Sequence, residues 1–190
     1  PAGEAIKSEL ASSVPGLPQA EPSLKITYVQ PKDFTGLLRY VRNILVVTID
    51  PTAYTKVSVG YENNVWARGQ VVVSLKAPNT ESIVEYSKTH EKALVNFFVK
   101  VEMNRAIEQL QKEYSMVVMD NLKSDLNVML NAPANFTYYK DTTDFFWSSN
   151  NANTGRMDLI VYTFPYTDPN TFTEEYLVAK RDSVLKANLP

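Results

Sequence analysis

The carboxylate side chains are the first groups in this sequence that could do chemistry, because a hydrolase can act with two of them. Asp141, Asp144 and Asp168 stand near predicted strand ends or turns, where aspartate commonly caps or turns the chain. Glu174 and Glu175 fall in the first turn of a predicted helix, where the helix dipole favours negative charge. Local structure explains each of these residues, so the sequence predicts no catalytic pair among them.

Other catalytic groups are scarce. The chain has no cysteine, so thiolate chemistry is excluded. It has one histidine, His90, so few side chains could bind a transition metal. It contains no GxGxxG or GxxxxGK[ST] loop to hold phosphate and no GxSxG nucleophile elbow. The asparagine-rich segment 150–155 lacks the carboxylates of a calcium loop. We therefore predict no catalytic residue, no cofactor and no metal.

Aromatic side chains with polar neighbours are better candidates for a functional surface. Tyr61, Trp66 and Arg68 flank Asn63-Asn64, the predicted tip of a hairpin, and Trp147 precedes the asparagine-rich segment. Aromatic rings at loop edges can stack on a sugar or grip a peptide. The alternative is that alternate aromatic residues face the core of an antiparallel sheet. Because a hairpin tip is exposed, Trp66 and Arg68 are the stronger candidates.

Charge and hydropathy restrict the class of partner. A formal charge of -2, a pI near 5.5 and the lack of a Lys/Arg-rich run give no electrostatic reason to bind a polyanion. We therefore predict that nucleic acid is not a partner. The longest strongly apolar runs, such as Ile44–Ile49, are far shorter than the roughly 20 residues that span a bilayer. Membrane attachment would then require a lipid anchor outside this sequence.

The elements that position these groups alternate between helical and strand periodicity. Helical spacing predicts helices over 2–14, 80–114, 121–132 and the C-terminal segment, where Thr171 or Thr173 is the N-cap. The helix over 80–114 is either one long helix or two with a bend. A proline-rich connector, 15–22, follows the first helix. Strand patterns occur at 24–30, at 42–51 as a central strand, in a hairpin of 56–62 against 65–76, and at 115–119, 136–140, 144–148 and 157–164.

The two halves of the sequence repeat the same order of elements. The segment 6–10, IKSEL, matches 122–126, LKSDL, and each lies in a predicted helix. In each half an apolar strand later runs through Pro-Asn-Thr, at 78–80 and 169–171, into another helix. Proline ends a strand ladder and asparagine or threonine caps a helix, so a strand-to-helix crossover uses both. These matches, in the same order, predict a duplicated fold.

The predicted fold class is α+β, with helices packed on one face of antiparallel sheets in duplicated split βαβ, ferredoxin-like units. The first unit would span 1–114, carry the long hairpin and the long helix, and lack its first strand. The second would span 115–190, begin with the strand at 115–119 and lack its last strand. The natural protein would then extend past both ends. The alternative is that both units pack as one globular domain.

Three stretches carry a family resemblance: VPGLPQAEPSLKITYV at 14–29, RNILVVTIDP at 42–51 and YTFPYTDPNTFTEEYLVAKRDSVLK at 162–186. They resemble Bacteroidetes envelope lipoproteins catalogued as a domain of unknown function. The resemblance implies a bacterial source and a periplasmic or outer-membrane-anchored location, and it supplies no catalytic residue. In such bacteria Asp141-Thr142-Thr143 would fit a short O-glycosylation pattern, with Thr142 as the acceptor.

These observations favour a non-catalytic cell-envelope lipoprotein that binds a protein or glycan partner. The candidate partner-binding surface consists of Tyr61, Trp66, Arg68 and Trp147. Two alternatives stay open. One is a hydrolase that uses carboxylates in a cleft between the two units, and the other is a structural module of a larger envelope assembly, with exposed edge strands.

Overall fold

The structure is a computed structural model that describes residues 2–17 and 19–189. Pro18 of the predicted connector lies outside the described residues, as do the two terminal prolines. The chain divides into two compact units, Pro1–Asn104 and Arg105–Pro190.

The first unit combines a three-stranded sheet with three helices. The sheet has the order β1-β3-β2, in which β1 runs parallel and β2 antiparallel to the central strand β3. Short 3-10 turns at Pro31–Asp33 and Gly36–Tyr40 precede the sheet. The elements are α1 (Ala2–Leu10), β1 (Asn43–Ile49), β2 (Ser58–Asn63), β3 (Val71–Ala77), α2 (Thr80–Thr89) and α3 (Ala93–Lys112), the last of which continues into the second unit.

The core of the first unit lies on one face of β3. Alternate residues of this strand project to the same side, and four of them are buried together with residues of all three helices. Asn79 accepts a hydrogen bond from Ser82 N at 2.8 Å and so caps α2. The buried members of this cluster are Ala2, Ile6, Leu10, Val71, Val73, Leu75, Ala77, Ile83, Leu94, Val95 and Phe98.

The second unit contains an antiparallel sheet of order β4-β5-β6. Its elements are α4 (Met116–Asp125), β4 (Tyr138–Thr142), β5 (Phe145–Ser149), β6 (Asp158–Tyr162), a 3-10 turn at Pro169–Phe172 and α5 (Glu174–Asn188). Residues 143 and 144 form the tight turn between β4 and β5, and Asp144 takes φ 61° there. Val118 and Leu122 of α4 pack with Phe146 in the core of this unit.

Helix α5 lies along the other face of the same sheet. Phe146 pairs with Val161 on the face that α4 covers, whereas Ile160 and Tyr162 share an open groove with α5. Thr173 caps the start of α5, and Lys140 Nζ of β4 donates to the carbonyl of Asn188 at its end. No described side chain of α5 is buried, and in the middle of the helix Lys180 Nζ lies 5.1 Å from the ring centre of Phe164.

Most of the predicted architecture is confirmed. The protein is α+β, and helices pack against both sheets. The hairpin forms from β2 and β3, the three late strands form as β4 to β6, and Thr173 is the cap of the last helix. The open question at 80–114 is answered by two helices, which are separated at residues 90–92, where Lys92 takes φ 62°. The first unit has the order helix, three strands, two helices, and the second has the order helix, three strands, helix.

Three predicted elements are wrong. The segment 115–119 is the start of α4 and not a strand, because Ser115 caps a helix there. The segment 24–30 forms no strand, although Leu24 and Ile26 pack against the core. The strand predicted as central is the edge strand β1, and the central position belongs to β3. In addition, one of the two predicted antiparallel sheets contains a parallel pair, β1 with β3.

None of the helices in the described part of the chain has the length and apolar character needed to cross a membrane.

Candidate functional site

The hairpin of the first unit presents an exposed strand and a structured tip. All six residues of β2 are exposed. The tip, residues 64–70, begins with Asn64 at φ 58°, whose Oδ1 accepts a hydrogen bond from Gly69 N at 2.6 Å. Gly69 takes φ 76°, a conformation that suits glycine. We call β2 and this tip, with the side chains of Tyr61, Trp66 and Arg68, the hairpin surface.

The side chain of Gln70 connects the tip to the segment that precedes β1. Its side chain is 1% exposed and makes three hydrogen bonds. Nε2 donates to the carbonyls of Arg39 and Val41 at 2.6 and 2.7 Å, and Oε1 accepts from Trp66 N at 3.0 Å. Sequence reasoning missed this residue, because a glutamine before a strand has no pattern that signals burial.

Tyr61 forms one wall of a small apolar groove. Its ring lies 5.1 Å from that of Phe97, centroid to centroid, and the tyrosine is 60% exposed. The groove has a volume of about 190 Å³ and runs between the edge strand β2 and the helices α2 and α3. Its lining is Val59, Gly60, Tyr61, Val73, Tyr86, Ala93, Leu94 and Phe97. An apolar side chain of a partner could occupy this space.

Trp66 and Arg68 lie on the tip itself. Trp66 is 38% exposed, and its ring meets that of Phe34 edge to face at 5.7 Å. Part of the indole therefore serves the packing of the tip. Arg68 is exposed. Trp66 therefore combines the two roles considered for the aromatic residues: its ring packs against Phe34, and part of it stays exposed on the surface.

One end of the groove contains polar contacts that sequence reasoning did not find. Glu9 Oε1 accepts a hydrogen bond from Leu94 N at 2.8 Å and so supports the first turn of α3. Burial, and then the nearby charge of Glu9, raise the pKa of Tyr86 above its usual range. Tyr86 also stacks on His90 at 4.2 Å. Tyr86 therefore presents a neutral hydroxyl at physiological pH.

Trp147 lies in the second unit, on the central strand β5. Its Nε1 donates to Asp158 Oδ1 at 3.0 Å, and the guanidinium of Arg156 lies 6.0 Å from its ring centre. Partial burial raises the pKa of Asp158, but the hydrogen bonds from Arg156, Ser149 and Trp147 outweigh it, so the pKa is lowered overall. Trp147 is thus held by local partners, and it belongs to a different unit from the hairpin surface.

Thr142, the candidate glycosylation acceptor, ends β4 at the tight turn. Its side chain is exposed, and Oγ1 lies 3.4 Å from the carbonyl oxygen of Phe145. An exposed side chain is compatible with modification, and glycosylation of Thr142 stays a prediction.

The carboxylates considered first serve turns, caps or each other. Asp168 Oδ1 accepts from Asn170 N at 2.7 Å, and Asp144 Oδ1 accepts from the Thr163 hydroxyl at 2.9 Å. Burial, and then the hydrogen bond and charge of Asp125, raise the pKa of Asp141. Hydrogen bonds from Ser124 and then Asp141 lower the pKa of Asp125. Among the described residues no group of three or more potential ligands converges on a metal position.

Two models of known protein families match the chain. A family model described as "Domain of unknown function (DUF8532)" matches residues 1–111, more than half of the chain. The chain belongs to this family. A second model, "Domain of unknown function (DUF4837)", matches residues 115–190. No curated protein and no solved structure matches the chain. The sequence predicted a family that is catalogued as a domain of unknown function, and this part of the prediction is confirmed.

The candidate residues fall under different family models. The hairpin surface and its groove lie within the DUF8532 match, and Thr142 and Trp147 lie within the DUF4837 match.

Proposed function

We propose that this chain is the binding part of a non-catalytic cell-envelope lipoprotein of Bacteroidetes, and that its hairpin surface binds a protein partner. The envelope location and bacterial source rest on the resemblance of the three quoted stretches. The observation that carries the binding role is the exposed six-residue edge strand β2 beside the apolar groove.

An edge strand beside a groove suits an extended polypeptide. Such a segment adds to the open edge of a sheet, where main-chain hydrogen bonds supply affinity and pockets for alternate side chains supply specificity. In this protein β2 provides the edge, and the groove between β2 and α3 provides a pocket lined by Tyr61 and Phe97. Tyrosine with an apolar body and a polar tip is well suited to a contact of this kind.

A protein partner is favoured over a glycan by the position of Trp66. Sugar recognition by stacking needs a flat aromatic face that is open to the ligand. The indole of Trp66 is 38% exposed and packs against Phe34, whereas the more exposed ring, Tyr61, stands at the groove and contacts Phe97.

A carboxylate hydrolase is the second candidate. The observation in its favour is the Asp125–Asp141 pair, in which one pKa is lowered and the other raised, as in acid and base pairs. Asp125 is exposed, however, and water around it weakens the electrostatic control that catalysis requires. The pair therefore supports this function less well than the edge strand supports binding.

The binding proposal is tested by site-specific photo-crosslinking in Bacteroidetes cells. A photoreactive amino acid replaces Tyr61 or Arg68 in the full-length protein, and a matched control replaces Tyr28, which is 75% exposed and belongs to the segment 24–30, outside the hairpin. We expect discrete protein adducts from the hairpin positions and not from the control. The substitution Tyr61→Ala, combined with the probe at Arg68, should reduce the yield.

Equal adduct patterns from Tyr61, Arg68 and Tyr28 would overturn the hairpin surface as a binding site. Mass spectrometry of each adduct identifies the captured protein, including a second copy of the same chain.

A further inference from the structure

The edge strand β2 is exposed to solvent along its whole length. All six of its residues are exposed, and within the described part of the chain it pairs with β3 only. Natural proteins normally protect such an edge with prolines, bulges or inward charges, because an open edge pairs with other chains. The residues that precede and form β2, 56–62, read KVSVGYE and contain no proline.

The side chains of this segment divide cleanly between the two faces of the sheet. Val59 and Tyr61 pair with Leu75 and Val73, which face the helices. Val57 packs against the same core. Ser58, Gly60 and Glu62 of β2 therefore fall on the opposite face by alternation. Lys56 lies in the bend just before β2 and comes to that face when the pairing extends the strand to it. One face of the segment is apolar, and the other has a cation at its start and an anion at its end.

This arrangement is complementary to itself when two copies run antiparallel. Residues that stand opposite each other in such a pair must both point their backbone groups toward the partner or both away. Backbone direction alternates along a strand, so two residues that point the same way have numbers that are both odd or both even, and the sum of the two numbers is even. In such a pair the helices of both copies lie on the same face of the joined sheet.

Among the registers with an even sum, the one centred on Val59 places opposite charges across from each other and apolar side chains across from each other. Lys56 then stands opposite Glu62 of the second copy, Val57 opposite Tyr61, and Ser58 opposite Gly60. By two-fold symmetry each pair occurs twice. Centring on Ser58 or Gly60 instead places Lys56 opposite Gly60 or Asn64, and both ion pairs are lost.

We propose that two copies of this chain associate through β2, antiparallel and centred on Val59, and form one continuous six-stranded sheet from the two three-stranded ones. This inference rests on the proposed function, because it names the partner of the hairpin surface. Each Lys56–Glu62 pair fixes the register, since opposite charges directly across a strand pair attract and like charges repel. Val59 and Tyr61, which are 40% and 60% exposed, supply the apolar contact.

The test is a charge swap across the symmetry axis, with the full chain and analytical ultracentrifugation. The wild-type chain should dimerise. Lys56→Glu alone, or Glu62→Lys alone, turns both ion pairs into repulsions and should weaken association on the order of tenfold or more. The double variant restores opposite charges and should dimerise again. Lys123→Glu, an exposed reversal in α4 of the second unit, is the control for net charge.

Mixing the two singly reversed chains gives a second readout. Each is repelled by itself, but a mixed pair has opposite charges at both positions, so the mixture should form a heterodimer. This result cannot arise from a folding defect. A wild-type chain that stays monomeric at its highest soluble concentration overturns the self-pairing, as does a dimer that ignores both reversals.

The two proposals can fail separately. A monomeric chain whose hairpin probes capture a different protein overturns self-pairing and leaves the binding role in place. A monomeric chain whose hairpin probes behave like the Tyr28 control overturns both.

Discussion

At the scale of single residues, the polar contacts of Trp147 show how a surface aromatic side chain is held in place. Asp158 accepts from Trp147 Nε1 at 3.0 Å and forms an ion pair with Arg156 at 3.2 Å. Without these contacts the indole could rotate on the face of β5. The carboxylate is therefore the group on which the orientation of Trp147 depends.

The lowered pKa of Asp158 gives a pH-dependent prediction. Because the folded state holds this carboxylate below its ordinary pKa of about 4, Asp158 contributes stability above that pH, and the contribution is lost as the pH falls through the folded-state pKa. Asp158→Asn should lower the free energy of unfolding at pH 7 by about 1 kcal/mol or less, since exposed pairs are screened. Urea unfolding over a pH series measures the difference.

Trp147→Phe is the matched variant for this prediction, because it removes one donor to Asp158 and keeps the ion pair with Arg156. It should show a smaller loss of the same sign. A deficit of Asp158→Asn that stays constant from neutral to acid pH would contradict the role given to the ionised carboxylate.

Sequence reasoning could place exposed aromatic residues but not their buried partners. The exposure of Trp66 and Arg68 follows from a turn signal, since Asn63-Asn64 marks the hairpin tip. The roles of Gln70 and Glu9 depend on groups 29 and 85 residues away, respectively. No local pattern in the sequence encodes such contacts, and only the folded chain reveals them.

At the scale of elements, the tip of the hairpin is attached to the segment before β1 through Gln70. Two of its hydrogen bonds reach carbonyls of that segment and one holds Trp66 N. Removing the side chain leaves these part-buried groups without their partners, and each lost hydrogen bond is worth about 0.5–1.5 kcal/mol.

Gln70→Ala should therefore lower the free energy of unfolding by about 2–4 kcal/mol and loosen residues 64–70. Chemical denaturation measures the first effect, and hydrogen exchange at the tip amides measures the second. Gln109→Ala, at an exposed position of α3, is the control and should change stability little. Unchanged exchange at the tip would show that Gln70 does not fix it.

The misassigned elements show why periodicity alone does not determine an element. The segment 24–30 alternates because Leu24 and Ile26 pack against the core, yet no neighbouring strand pairs with it, so it lacks ladder hydrogen bonds. The segment 115–119 is apolar enough for a buried strand. Ser115 accepts from Val118 N at 3.3 Å and donates to Phe136 O at 2.5 Å, which starts a helix instead.

At the scale of the whole molecule, the repeated order of elements accompanies two different sheets. The matched segments 6–10 and 122–126 both close a helix whose apolar residues enter a core. The strand order is nevertheless β1-β3-β2 in one unit and β4-β5-β6 in the other. The order of elements along the chain could be predicted from the repeat. The order of strands within each sheet depends on which strand edges pair, and no local sequence pattern indicates it.

The two apolar clusters share no residue: one draws on residues 2–101 and the other on 118–161. Ile83 and Leu122 are both 0% exposed and offer a matched pair of probes. Leu122→Ala should destabilise the second unit by about 2–5 kcal/mol, because it removes packing and leaves a cavity. Ile83→Ala should do the same to the first unit.

Hydrogen exchange distinguishes the units in this experiment. Leu122→Ala should lower protection of the β5 amides and leave the β3 amides near their wild-type values, and Ile83→Ala should give the reverse pattern. This follows because local stability depends on the cluster that buries each strand. If either substitution lowers protection of β3 and β5 equally, the chain unfolds as one cooperative body, and separate cores do not give separate stability.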